Sequence, residues 1–160
     1  MRRVLICAAL LATAFASPLL ADTVMVHFYA DLSEEYSDDE AATQLISAVE
    51  DGVMFEMFEG GHIVFNTVDR SVRFDTEEAI DSGEDESVDW VMIVDLGMER
   101  VDEAFSIERA RYRAVDVDDE AVYLEREVDS GDLEQKSDES ADEAARRIGS
   151  DIGAEFLEEL

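Results

Sequence analysis

Thr23-Val24-Met25-Val26-His27-Phe28-Tyr29-Ala30 and, a few residues on, Ser37-Asp38-Asp39-Glu40 are the two stretches that decide the fold. The first is a strand-length run of β-branched and aromatic residues, with Val24, Val26 and Phe28 on one face and Met25, His27 and Tyr29 on the other. Apolar residues on both faces predict a strand inside a sheet. The second stretch has the spacing of a capping box at the start of a helix. Ala42, Leu45, Ile46, Val49, Val53 and Met57 then recur at helical spacing, and Gly60-Gly61 ends the pattern. A strand feeding an amphipathic helix is the opening of a layered α/β unit.

Working outward, His62-Ile-Val-Phe-Asn-Thr67 predicts a second strand, and Asp75 to Asp85 an acidic connection with room for a short helix. Val88-Asp-Trp-Val-Met-Ile-Val-Asp-Leu-Gly97 predicts a third strand. Phe105 to Val117 and Ala121 to Val128 predict a hairpin closed by Asp118-Asp119-Glu120. Ser137 is placed to cap a last helix with Asp138 and Glu139 in its first turn, and Ala141, Ala144, Ala145, Ile148, Ile152, Phe156 and Leu160 form its stripe. Gly149 and Gly153 are expected to let that helix approach the sheet closely. The expected fold is a two-layer α+β domain. Its mixed sheet has about five strands, two main helices pack on one face, and the order is β-α-β-(α)-β-β-β-α.

In front of the first strand, Met1-Arg2-Arg3 and the apolar run Val4 to Phe15 have the layout of a secretory signal peptide. Cleavage is expected after Ala21, with Ala16 as the alternative, so residues 1–21 read as leader and 22–160 as one domain. The apolar run is too short, and too soon broken by Pro18, for a membrane anchor. Cys7 is the one cysteine of the chain and falls within the leader. Disulfides, thiolate catalysis and cysteine-ligated zinc are therefore excluded from residues 22–160. The expected location is the periplasm, with the extracellular medium as the alternative.

Charge narrows the partners. The 160 residues carry 42 Asp+Glu against 12 Lys+Arg, a formal net charge of −30, spread along the whole chain. Nucleic acid and anionic membrane surfaces are disfavoured, because both are bound through clustered Lys and Arg. Lys136 is the only lysine. High acidity with scarce lysine suits a protein working in salt, where screening relieves self-repulsion. The rival reading is cation or solute binding through acidic loops, with Asp116 to Glu120 as the first candidate, although the sequence does not follow an EF-hand loop.

Arg109, Arg111 and Arg113 share one strand face and form the only local excess of positive charge in residues 22–160. They are read as either an anion-binding stripe or an ion-pair ladder with Glu125 and Glu127 of the next strand, and the ladder is favoured. The two histidines, His27 and His62, lack ligand spacing and are expected to be packed strand residues. No nucleophile elbow, phosphate loop or dinucleotide fingerprint occurs. No catalytic residue, cofactor or metal is expected, and oligomeric state is not encoded in any pattern here.

A long helix after the first strand, Gly61-His-Ile-Val-Phe65, Asp89-Trp-Val-Met-Ile-Val94 leading into a long hairpin, and Ala144-Ala145-x-x-Ile148-Gly149-x-x-Ile152 together resemble small α/β domains of bacterial envelope proteins. The amino-terminal domain of the TolB family and CsgG-like proteins are the examples. That resemblance implies a periplasmic, non-enzymatic domain used in envelope assembly or protein contacts, with an envelope protein as partner. It carries over no catalytic residues.

Overall fold

The computed structural model describes residues 21–32, 36, 39–67, 72–101 and 104–160. The expected leader lies outside these except for Ala21, and Cys7, Ser37 and Asp38 are outside them too. The elements are β1 (Thr23–Asp31), α1 (Glu40–Glu59), β2 (Ile63–Asn66), α2 (Thr76–Glu86), β3 (Trp90–Val101), β4 (Ala104–Asp116), β5 (Ala121–Glu127), α3 (Ser130–Leu133) and α4 (Ala141–Glu159). They form one mixed sheet in the order β2-β1-β3-β4-β5. β1 is parallel to β2 and β3, and β3-β4-β5 is an antiparallel meander. The expected α+β architecture is the observed one.

β1 is an interior strand with neighbours on both sides, as its two apolar faces predict. Val24, Val26 and Phe28 lie under α1 and α4, with Met92, Val94, Leu96, Tyr112 and Leu124 from the neighbouring strands. Met25 faces the other side and packs with Val91, Ile93 and Val115 under α2, whose Ala79 is fully buried. All six apolar positions read for α1 are buried. Its N-cap is Asp39, whose carboxylate accepts from the Ala41 N–H at 2.9 Å. Ser140 caps α4, in a reciprocal box with Glu143, so the expected Ser137 cap is corrected by three residues. The reason is local: Ser140 has a glutamate at the third helical position to complete the box, and the Asp132–Glu139 segment is held by α4 instead of joining it.

The close approach promised by Gly149 and Gly153 is made, but to α1 and not to the sheet. A Cβ on Gly149 would overlap the Val49 carbonyl oxygen, and one on Gly52 would overlap the Arg146 carbonyl oxygen. At Gly153 it would lie 3.0 Å from the Val53 carbonyl oxygen. The pairings Gln44 with Asp142, Asp51 with Arg146 and Gly60 with Leu157 rise together along both helices, so α1 and α4 run parallel. Each mid-helix glycine costs about 1 kcal/mol relative to alanine. Here that cost is offset by contact between the two backbones, which lets both helices reach the sheet.

Two β-bulges shape the meander. Gly97 pairs with Arg109 but Met98 pairs with Ile107, leaving Glu108 as an extra residue in β4. Without it, strict alternation would put Phe105 and Ile107 on the face of Arg109, Arg111 and Arg113. With it, Phe105 and Ile107 join the main core. Tyr123 is the corresponding extra residue in β5, between Leu124 and Val122.

Two outcomes follow for stability. Gly149→Ala is expected to lower stability by about 1–3 kcal/mol in urea unfolding despite alanine's better helix propensity, because the overlapped atom is backbone and cannot turn aside. Neither α1 nor α4 has a basic residue in its last turn. Glu158→Lys should therefore stabilise the protein by roughly 0.3–1 kcal/mol at low salt, with the gain in Tm shrinking as NaCl is added.

Candidate functional site

The β3–β4 hairpin is longer than the rest of the sheet. Pairing of β3 with β1 ends at Gly97, and pairing of β4 with β5 ends at Arg111, so Met98–Val101 and Ala104–Glu108 form a two-stranded ribbon beyond the main sheet. Between this ribbon, α3 and the first turns of α4 lies a cleft of about 450 Å³. Leu45, Phe105, Ile107, Leu133, Ala144 and Ile148 form its apolar floor, and Ser106, Glu108, Ser130, Glu134 and Gln135 its polar rim, with Ala141 at the mouth. No lysine, arginine, histidine or cysteine lines it. The volume is within the range of ligand pockets, and the accessible lining is divided about equally between apolar floor and polar rim.

Arg147 holds the α3 lip in place. Its guanidinium donates to the Asp132 carbonyl at 2.7 Å, to the Glu134 carbonyl at 3.0 Å and to the Glu139 carboxylate at 3.0 Å. One planar cation thus ties three points of an irregular segment to α4. Hydrogen bonding to Arg147 lowers the pKa of Glu139, and hydrogen bonds from Ser140 lower that of Glu143.

The arginine stripe lies on the opposite face of the sheet. Arg111 Nε donates to Glu127 at 2.8 Å, the cross-strand pair of the expected ladder. Arg113 stands in register with Glu125, yet its Nη2 donates to the Phe74 carbonyl at 2.6 Å. Arg109 approaches Asp31 at the end of β1, at 3.8 Å. The ladder is therefore one rung deep. An arginine and an aspartate not singled out in the sequence complete this face: Arg73 donates to the nearly buried Asp95 at 2.7 Å and carries a raised pKa on that account. Asp95 interrupts the apolar run of β3, which was the available signal.

His27 is fully buried. Its Nε2 donates to the Val72 carbonyl at 2.7 Å, its Nδ1 meets the Thr67 hydroxyl at 2.7 Å, and its ring stacks on Phe74 at 3.7 Å. A carbonyl can only accept, so Nε2 bears the proton and Nδ1 accepts from Thr67 in the neutral ring. His62 sits elsewhere, with Nδ1 3.8 Å from Asp22. The Asp116 to Glu120 segment closes as a tight turn, with the Asp116 carboxylate accepting from the Asp119 N–H at 2.9 Å. Among the described residues no group of three or more His, Cys, Asp or Glu side chains is disposed to hold a metal ion. No helix among them is long and apolar enough to cross a membrane.

No protein-family model matches the chain, and no curated protein matches it. Among solved structures it is similar to the PelC dodecamer from Paraburkholderia phytofirmans, at 11% identity over 84% of this chain and 88% of that one, with a TM-score of 0.49. It is similar to lipoprotein GNA1162 from Neisseria meningitidis, at 10% identity over 86% and 99%, with a TM-score of 0.46. TolB from Acinetobacter baumannii is also similar, at 8% identity over 87% of this chain but 28% of that one, with a TM-score of 0.42. No residue of the cleft is assigned from these likenesses.

The Arg147 tie has a measurable signature. Because hydrogen bonding lowers the folded-state pKa of Glu139, its contribution is fully present above the ordinary carboxylate range and is lost as pH falls from that range through the lowered folded-state value. Amide protection factors over residues 130–139 are expected to drop with acidification before those of α1. In Arg147→Gln the same segment should be weakly protected at neutral pH, with most of that pH dependence gone.

Proposed function

We propose that this is an exported, non-enzymatic interaction domain of the cell envelope, a protein-binding accessory with a highly acidic, salt-adapted surface. The observation that carries the reading is the cleft at the end of the β3–β4 ribbon, with its apolar floor and polar rim. Binding is favoured over turnover by the lining: Ser106 and Ser130 have no histidine beside them, and the one carboxylate that Ser106 meets, Glu108 at 2.7 Å, stands exposed on the rim with no third group to orient it as a base. Export is supported by the leader-like residues 1–21, and the acidic surface by the excess of Asp and Glu in residues 22–160.

A photo-crosslinking side chain at Ser130, on the cleft rim, and another at Phe55, exposed on the outer side of α1, test this in the host of origin. The expected result is a discrete protein adduct from position 130 alone, in cells whose tagged product fractionates with the periplasm. Absence of adducts from position 130, equal labelling from both positions, or a product retained in the cytoplasm would overturn the reading.

A further inference from the structure

We infer that the cleft receives an apolar side-chain cluster flanked by lysine or arginine, presented by a segment of a partner polypeptide; this rests on the interaction-domain reading above and names the partner's chemistry. The floor needs apolar occupants, since Leu45, Phe105, Ile107, Leu133 and Ile148 offer no polar atoms to an incoming group. The rim selects charge. Glu108 and Glu134 stand exposed at it, and among the described residues neither is paired with a cation. Among the described residues Glu108 accepts from the Ser106 hydroxyl, at 2.7 Å, and from no cation.

Nearby acids are already engaged. Glu139 is paired with Arg147 at 3.0 Å, and Asp142 accepts from Gln44. Arg147 itself is turned to the Asp132 and Glu134 carbonyls behind the lip and does not line the cleft. The mouth is therefore apolar within and anionic without. An acidic or neutral polar segment would leave both rim carboxylates facing like charge or no charge, while a cationic one is met by them and drawn in by the field of the whole chain. A second copy of the chain is disfavoured as occupant, because it brings a further charge of −30 to the same surface.

The test uses the purified protein and three labelled peptides of equal length, read by fluorescence anisotropy. One is an amphipathic Leu/Lys peptide, the second has Glu for each Lys, and the third has Ser for each Leu. The Leu/Lys peptide is expected to bind. Ala141→Trp, which fills the mouth from an exposed position in the first turn of α4, should weaken it by about tenfold or more while leaving the urea-unfolding midpoint close to that of the unaltered protein. Glu108→Gln with Glu134→Gln should weaken it by roughly three- to tenfold and flatten its salt dependence.

Equal binding of the Lys/Ser peptide, or indifference to Ala141→Trp, would reduce the effect to bulk electrostatics and overturn the inference. Binding of the Leu/Glu peptide that is lost in Ala141→Trp would also overturn it while leaving the interaction-domain reading intact. A dimer seen by sedimentation and dissolved by Ala141→Trp would give the cleft to a second copy and overturn it as well. If no peptide binds but position 130 still crosslinks to a protein, the cationic chemistry fails and the domain reading stands.

Discussion

The backbone contact between α1 and α4 is the constraint to which the other packing choices answer. Two helices running in the same direction over one sheet face bring their like dipole ends together, which is not favourable in itself. They are held there because Gly52, Gly149 and Gly153 remove the side chains that would keep the axes apart, so that Val49, Val53 and Arg146 carbonyls lie directly against the opposing helix. Close approach narrows the pair until both stripes, Val49 and Val53 on one side and Ile148, Ile152 and Phe156 on the other, rest on the same strands. The rest of that face follows. Phe28, Val94 and Tyr112 fill what the helices leave, and α2 is left to cover Met25, Val91 and Val115 behind the sheet.

The parallel arrangement also gives the acidity a structural location. The last turns of α1 and α4, which end side by side, contain Glu56, Glu59, Glu158 and Glu159 and no basic residue. Carboxylates at the negative end of a helix dipole are unfavourable, and here the two ends are neighbours. Arg126 of β5 reaches this region, with its guanidinium 3.6 Å from Glu155 and 3.7 Å from Glu159, but one cation does not balance it. Screening by salt therefore acts on a defined junction of the fold as well as on the diffuse surface.

Most of the fold was legible because it rests on periodicity. The i, i+3, i+4 spacing from Ala42 to Met57 and the two-sided apolar run of β1 each have one physical solution, and the structure adopts both. What was not legible depends on pairing. Strict alternation would put Phe105 and Ile107 on the face of Arg109, Arg111 and Arg113, and only the extra residue Glu108 turns that pair into the core and leaves the arginines on the other face. The partner of Gly149 was misjudged for a similar reason: small-residue spacing announces a close neighbour without saying which. Ser137 and Ser140 both precede acidic residues, but only Ser140 has a glutamate three positions on to complete the box, and Arg147 ties the segment around Ser137 down outside the helix. The cleft had no signature of its own, since its walls come from four separated segments.

The ribbon beyond the Glu108 bulge is anchored to the main core by Phe105 and Ile107, and its tip extends past that anchor. Its register is set only between β3 and β4, because β1 and β5 have already ended. Residues added in matched pairs beyond Phe105 would lengthen one wall of the cleft by about 3.4 Å for each pair, while Phe105, Ile107 and the α1–α4 core keep their contacts. Depth of the cleft and stability of the fold are thus independent quantities in this architecture, and a lineage could vary the first freely while holding the second constant.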